Sequence, residues 1–274
     1  REMNVATFER LMLESQLRKA IETGQLRAYF QPKVHLSDER LAGAEALVRW
    51  QHPEHGLIGP GRFIPIAEAS SLIIEVSDWM LREVCRQIKS WKNAGMPPLT
   101  VAVNLTASHF RDPRFVERIE TLLKAHGLDS EALELELTES SLIEAGTQTE
   151  DTLLALRRLG LSLAIDDFGT GYSSLSYLKR LPLTALKIDQ SFVRNLVTDP
   201  DDRVIAATIV ALGHALGLNV IAEGVETADQ RRILLDQGCD LAQGYLFDPP
   251  MPAEQFTVWL TRIASGGDAP SSIP

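Results

Sequence analysis

Short apolar segments that could form β-strands alternate with helical patterns along most of this chain. Eight strand-like segments lie at 26–35, 41–50, 99–106, 133–139, 161–166, 184–189, 218–224 and 240–247. Helical patterns lie at 72–94, 113–126, 151–159, 201–217 and 227–237. Strands that alternate with helices build parallel sheets, and 274 residues is close to the ~250 typical of a (β/α)8 barrel. The sequence therefore predicts an α/β fold of the TIM-like (β/α)8 barrel type, which we favour over an open doubly wound sheet.

The first two predicted strands depart from this alternation. Only about five residues separate 26–35 from 41–50, too few for a parallel crossover, so we expect an antiparallel first strand. Upstream, apolar residues spaced three or four apart predict an amphipathic helix that ends near Gly24. We accordingly divide the chain into a connector helix at 1–24, the barrel at 25–264, and a small, polar flexible tail at 265–274.

Composition limits the classes of function. A formal charge of −10 argues against binding a nucleic-acid polymer, which needs a basic surface. Cys85 and Cys239 lie in apolar segments without a C-x-x-C pattern, so we expect no disulfide and a reduced, cytoplasmic domain. No apolar stretch is long enough to span a bilayer. The chain begins with Arg1, however, so an upstream membrane anchor of a longer protein stays open.

Polar side chains stand at or near the carboxyl ends of the predicted strands. Residues two apart share one face of a strand, so Asp166 shares its face with Ala164. In a barrel of this kind the site is built at the carboxyl ends of the strands. The polar residues that we expect to converge there are Glu45, Asn104, Glu136, Asp166, Asp167, Lys187, Glu223 and Gln243.

This set of residues predicts a site for divalent cations. So many carboxylates in one crevice cannot all stay ionised unless cations neutralise them. Oxygen ligands suit Mg²⁺ or Mn²⁺, with Ca²⁺ as an inert and therefore inhibitory substitute, and the six histidines lack the spacing of a zinc site. Asp166 and Asp167 can bind two neighbouring cations with one carboxylate bridging, and such a pair forms a clamp for displacement at phosphorus.

Seven motifs carry a resemblance to one family. They are "EALVRW" (45–50), "VNLT" (103–106), "ELTES" (136–140), "DDFGTGYSSL" (166–175), "LKIDQSFV" (186–193), "AEGVET" (222–227) and "QGYLF" (243–247). In this order they resemble the motif series of EAL-domain cyclic-di-GMP phosphodiesterases, from about residue 10 to 264. The family's barrel, with its antiparallel first strand, agrees with the short connection after the first predicted strand.

The resemblance implies a role for each matching residue. Two cations are implied, the first bound by Glu45, Asn104, Glu136 and Asp166, and the second by Asp166, Asp167 and Glu223. Lys187 is implied to hold or polarise the attacking water, and Glu223 is a candidate general base. The implied substrate contacts are Gln31, Leu47, Arg49 and Gln243. Glu139 matches a position that fixes the loop carrying "DFGTGYSS".

The implied reaction is hydrolysis of cyclic-di-GMP to linear pGpG in bacterial signalling. Two alternatives stay open: a receptor that binds cyclic-di-GMP without cleaving it, and another Mg²⁺ barrel enzyme in which Lys187 removes a proton beside a carboxylate. A receptor of this family is expected to have lost some of the catalytic positions, and all of them are filled here. The resemblance also implies a homodimer and an upstream sensor or diguanylate cyclase domain.

Overall fold

The computed structural model describes residues 2–141, 147–171 and 175–264, so the predicted tail at 265–274 lies outside the described residues. Strands of the described chain are β1 (Leu26–His35), β2 (Leu41–His52), β3 (Gly56–Ile58), β4 (Val101–Leu105), β5 (Leu133–Thr138), β6 (Ser162–Phe168), β7 (Ala185–Ile188), β8 (Asn219–Ala222), β9 (Leu241–Ala242) and β10 (Met251–Pro252). All eight predicted strands are therefore present, and most of them begin or end a few residues from the predicted positions.

Helices occupy most of the connections between the strands. They are α1 (Glu2–Glu22), α2 (Pro60–Ala69), α3 (Leu72–Asn93), α4 (Ala107–Arg111), α5 (Phe115–His126), α6 (Thr147–Arg158), α7 (Leu175–Leu178), α8 (Gln190–Arg194), α9 (Pro200–Ala215), α10 (Ala228–Asp236) and α11 (Ala253–Ala264). Among the described helices, none combines the length and the apolar character that crossing a membrane requires.

Eight of the strands close into a barrel. Strands β2, β4, β5, β6, β7, β8 and β9 pair in parallel in this order. Strand β1 closes the ring by pairing antiparallel with β2 on one side and with β9 on the other. Strands β3 and β10 add to β2 and β1 outside the ring. The predicted TIM-like (β/α)8 barrel with an antiparallel first strand is confirmed.

Alternation along the strands separates two kinds of interior. The odd-numbered apolar residues of β6, such as Leu163 and Ile165, belong to the large core between the sheet and the surrounding helices. Ala164 points the other way and packs against Ala185 and Ile221 inside the barrel. These small and medium side chains fill the middle of the barrel and leave its carboxyl-terminal rim to polar groups.

Two segments differ from the prediction. The strand expected at 240–247 ends at Ala242: Gln243 N still donates to Ala222 O on β8, but Gln243 O and Leu246 N bond to the backbone of Val225, which lies beyond β8. A Cβ at Gly244 would lie 2.1 Å from Val225 O, so only glycine permits this approach. Helix α2 was not predicted, since its "PG" start and internal Pro65 are typical of a loop, yet burial of Phe63 and Ala67 holds it helical.

Helix α1 confirms the predicted amphipathic segment before Gly24. Its Leu17 and Ala20 are fully buried and pack with Trp50 and Phe63 in a second core that α2 and α3 complete. Leu11, by contrast, is largely exposed. Burial of one face ties α1 to the barrel, and its role as a connector to another domain stays a prediction.

Candidate active site

The carboxyl-terminal rim gathers the polar residues that the strand alternation predicted. Asn104 on β4 lies directly beside Glu136 on β5, and Gln31 on β1 lies opposite Glu45 on β2. Glu223 and Gln243 follow the last residues of β8 and β9. Because neighbouring parallel strands end at one edge of the sheet, residues far apart in sequence meet here.

Lys187 lies at the centre of this cluster and is fully buried. Its Nζ lies 2.8 Å from Glu136 Oε2, 3.2 Å from Glu45 Oε2, 3.1 Å from Asp166 Oδ1 and 2.6 Å from Glu223 Oε1. One ammonium group therefore contacts four carboxylates that come from four different strands or strand ends. This excess of negative charge in a buried place needs further cations.

The pKa values of the buried acids show the same imbalance. Burial and the nearby Glu45 charge raise the pKa of Glu136 to about 8, although Lys187 acts against this shift. Burial also raises the pKa of Glu223 well above its usual value. Burial opposes ionisation of Glu45 too, but Lys187 and a hydrogen bond from Gln243 outweigh it and lower the pKa of Glu45. The lysine thus neutralises only part of the cluster.

Two groups of three carboxylates could each hold a metal ion. Oxygen atoms of Glu45, Glu136 and Asp166 lie within 4.8 Å of one another, and so do those of Asp166, Asp167 and Glu223. Asp166 belongs to both groups. The donors are oxygen atoms, as hard divalent cations prefer. Buried Glu136 Oε1 and Gln243 Oε1 have no hydrogen-bond partner among the described residues, so the donor set fits cations beyond the lysine.

Asp167 reaches the site through a break in the strand. Consecutive residues of a regular strand face opposite sides, so Asp166 and Asp167 could not both point inward. The pairing of β6 with β7 shifts register between Ile165 and Phe168, and Asp167 has a left-handed backbone with φ of 54°. Its amide donates to Asp166 Oδ1 at 2.9 Å. This bulge is what brings two adjacent aspartates to one site.

The environment of Asp167 also favours a cation. Burial, then the charges of Asp166 and Asp189, raise the pKa of Asp167 to about 6. Asp189 caps α8 by accepting from Ser191 N at 3.0 Å. Asp189 was not predicted as a site residue: it follows Lys187 by two residues but lies after the end of β7, as the N-cap of α8.

A cavity of about 610 Å³ opens above the acids, a volume suited to a small-molecule ligand. Gln31 and Leu47, both predicted to contact substrate, line it. Gln243 Nε2 donates to Glu45 Oε2 at 2.7 Å and to Gln31 Oε1 at 3.0 Å, which links this wall to the acids. Apolar side chains of α2 and α3, including Ile64 and Met80, also line the cavity.

Arg49 stands apart from this cluster. Strand β2 continues to His52, and Arg49 follows Glu45 by four residues, which is roughly 13 Å along a strand. Its guanidinium lies over the Tyr29 ring, 5.5 Å from the centroid, and donates to Val48 O at 2.9 Å. Its predicted contact with substrate stays a prediction.

Glu139 contacts the loop after β6 as predicted from the sequence. Its Oε2 accepts hydrogen bonds from the backbone amides of Gly169 at 3.0 Å and Gly171 at 3.3 Å. These bonds begin two residues after Asp167, so they couple the carboxylate of Glu139 to the backbone that carries a candidate metal ligand. Residues 172–174 of this loop lie outside the described residues.

A buried ion pair that was not predicted lies below the rim. Lys33 and Glu134 form a salt bridge inside the barrel, and both are nearly inaccessible to solvent. Each shares its strand face with a residue already predicted for the site, since Lys33 is two residues after Gln31 and Glu134 two before Glu136. The same alternation would therefore have found both.

Comparison with known proteins agrees with this geometry. A sequence model of the EAL domain family matches residues 14–250. The bifunctional diguanylate cyclase/cyclic di-GMP phosphodiesterase MucR of Pseudomonas aeruginosa is 46% identical over 253 residues, which is 92% of this chain and 37% of that protein. The cyclic di-GMP phosphodiesterase NbdA of the same organism is 46% identical over 252 residues, 92% of this chain and 32% of that protein. The chain thus spans about a third of the length of these two relatives.

Solved structures give the same result. The PaMucR phosphodiesterase in complex with c-di-GMP has a TM-score of 0.85 and 45% identity, covering 89% of this chain and 99% of that one. The EAL enzyme Bd1971, bound to cAMP and cyclic-di-GMP, has a TM-score of 0.88 and 32% identity. The match covers 95% of this chain and 72% of that one. The barrel of this chain therefore has the fold of these two phosphodiesterase and EAL enzyme structures. This chain belongs to the EAL domain family.

Proposed function

We propose that the chain is a metal-dependent cyclic-di-GMP phosphodiesterase that opens the cyclic dinucleotide to linear pGpG. The observation that carries this proposal is a pair of three-carboxylate clusters beside a cavity of ligand size. Asp166 belongs to both clusters and lines the cavity. We propose cyclic-di-GMP as the substrate because two relatives at 46% identity are named cyclic di-GMP phosphodiesterases. In the reaction, water adds to one phosphorus and one phosphodiester bond breaks.

The residues that would hold two cations are those of the two three-carboxylate clusters. Glu45, Glu136 and Asp166, with the Asn104 amide beside Glu45 at 2.7 Å, would hold the first. Asp166, Asp167 and Glu223 would hold the second. We propose Mg²⁺ or Mn²⁺, with Ca²⁺ as an inhibitory substitute. When bound, such a pair supplies charge neutralisation at the phosphate and activation of a water molecule.

The chain's own residues would then position the reacting groups. The Lys187 ammonium, held by four carboxylates, would fix the attacking water or polarise it. The Glu223 carboxyl, whose pKa burial raises, is suited to accept a proton. Gln243 and Gln31 form the hydrogen-bonded wall on which we place a guanine base, and Leu47 supplies apolar contact.

Assembly and setting are further proposals. Because the chain spans only part of its relatives, we propose an upstream sensor or diguanylate cyclase domain, attached before α1. We also propose a homodimer, with Glu139 and the loop after β6 passing its state to Asp167. Two buried free cysteines suit a reducing cytoplasm. These proposals are tested by the mass of the protein in solution and by the sequence of the full-length protein.

The decisive experiment is a product assay on the purified chain. Incubation with cyclic-di-GMP and Mn²⁺ or Mg²⁺ should yield pGpG, and EDTA should stop the reaction. Addition of Ca²⁺ should inhibit it. Binding of cyclic-di-GMP without any pGpG would instead support the receptor, and neither binding nor turnover would reject both.

The stability of the metal-free protein should depend on pH in a definite direction. An acid whose pKa is raised on folding destabilises the folded state as pH rises from its unfolded value through its folded value. Asp167 titrates at about 6 and Glu136 at about 8, both above their usual 3.8 and 4.5. In EDTA, Tm should therefore fall as pH rises from about 4 to about 8, with the contribution of Asp167 complete near pH 6 and that of Glu136 near pH 8.

Mn²⁺ should reverse this trend, since it binds the ionised acids. At about 100 times its Kd it should stabilise the fold by about 2.7 kcal/mol at pH 8, or roughly 5–10 °C in Tm. The gain should shrink toward pH 6. Thermal melts with and without Mn²⁺ measure both effects, and Glu136→Gln should flatten the slope in EDTA. A gain from Mn²⁺ that does not change with pH would contradict the prediction.

A further inference from the structure

A second buried ammonium lies beneath the acidic rim. Lys33 projects from β1 into the barrel, and its Nζ forms a salt bridge with Glu134. The same Nζ lies 3.5 Å from Glu136 Oε1. Glu134 precedes Glu136 by two residues on β5, so it lies one layer deeper in the barrel and farther from the cavity.

Glu136 therefore lies between two ammonium groups. Lys187 contacts Oε2 from the rim at 2.8 Å, and Lys33 faces Oε1 from below. Oε1 has no hydrogen-bond partner among the described residues, so Lys33 is the charged group that faces it. The carboxylate is completely buried, and its two oxygens experience attraction from opposite sides.

The backbone across from Lys33 leaves room for this arrangement. Gly43 pairs directly with Lys33 between β1 and β2. A Cβ at Gly43 would lie 3.5 Å from Lys33 Cε and 2.9 Å from Thr100 O. A larger residue at position 43 would push the lysine or the neighbouring strand. Glu134, with its own salt bridge, fixes the other side of the ammonium group.

We propose that Lys33 is a positioning residue that orients the Glu136 carboxylate for metal binding, and that Glu134 is the counterion that balances the charge of Lys33. This inference rests on the proposed metal site. Without Lys33, the carboxylate of Glu136 keeps a partner on Oε2 alone and can rotate about its last torsion. Groups that orient a metal ligand from behind typically change metal affinity by about 10–100-fold.

The test is a calorimetric titration of Mn²⁺ into EDTA-treated protein, which measures the affinity for Mn²⁺. The Tm of each variant is measured in parallel. Glu134→Gln removes the counterion but leaves Lys33, and Lys33→Met combined with Glu134→Gln removes both charges while keeping the volumes. These two variants differ only at Lys33. We expect Glu134→Gln to bind Mn²⁺ within about threefold of the unaltered chain and the double variant to bind about 10–100-fold more weakly. Lys92→Met, at an exposed lysine, controls for the substitution.

The outcomes separate this inference from the proposed function. If the unaltered chain binds no Mn²⁺, the proposed metal site is wrong and the inference falls with it. If that chain binds Mn²⁺ and the double variant binds equally well, only the role of Lys33 is rejected. Should the double variant fail to fold, Lys33→Gln combined with Glu134→Gln gives the same comparison, and unchanged Mn²⁺ affinity in it would likewise reject the role.

Discussion

Replacing Asp166 with asparagine should reduce turnover of cyclic-di-GMP by about 10⁴-fold or more. Loss of one preorganised electrostatic contact to a transition state costs about 10²–10³-fold. Asp166 belongs to both three-carboxylate clusters, so its loss weakens both candidate metal sites at once. It also contacts Lys187 at 3.1 Å. The rate of pGpG formation at saturating Mn²⁺ measures the effect.

Asp240→Asn is the matched control for this substitution. Asp240 lies before β9, at the opposite end of the barrel, where its Oδ2 accepts from Val220 N at 2.8 Å and pairs with His214. It makes structural contacts but none with the acidic rim, so turnover should stay within about twofold at a temperature well below Tm. If Asp166→Asn lost no more activity than this control, Asp166 would not be a shared metal ligand.

The alternation of residues along strands explains why much of the site could be predicted. Because the period is two, identifying "LSLAID" as a strand sets Ala164 and Asp166 on one face, and Ala164 indeed packs inside the barrel. The ends of parallel strands then bring Glu45, Glu136 and Lys187 together without any knowledge of strand order. The sequence therefore predicts which residues of each strand point into the barrel, because this depends only on the strand itself.

Features that depend on the closed ring were not available in this way. The antiparallel pairing of β1 with β9 joins segments about 200 residues apart, and no local pattern specifies it. Asp167 reaches the site only through a register shift with β7, which alternation alone would deny. Arg49 shares a strand face with Glu45, but its distance from the rim depends on how far β2 extends, which is a tertiary property that its local pattern does not set.

Replacing Lys187 with methionine should destabilise the metal-free protein by about 3–5 kcal/mol, because it leaves buried carboxylates without their cation. This corresponds to a fall in Tm of roughly 6–20 °C. Added Mn²⁺ should recover more stability in this variant than in the unaltered chain, since a cation replaces the missing ammonium. Turnover should stay low even with Mn²⁺, because Lys187 would no longer hold or polarise the attacking water.

Lys92→Met separates loss of this particular ammonium from loss of any lysine. Lys92 is exposed and lies 3.5 Å from Asp129, a surface pair that contributes about 0–1 kcal/mol. The Tm of this variant should differ from that of the unaltered chain by no more than about 4 °C, with or without Mn²⁺. Because the four acids around Lys187 repel one another, loss of this buried ammonium, unlike loss of the exposed Lys92, is expected to link stability to the metal. Equal melting of both variants in EDTA would show that Lys187 is not the group that balances these charges.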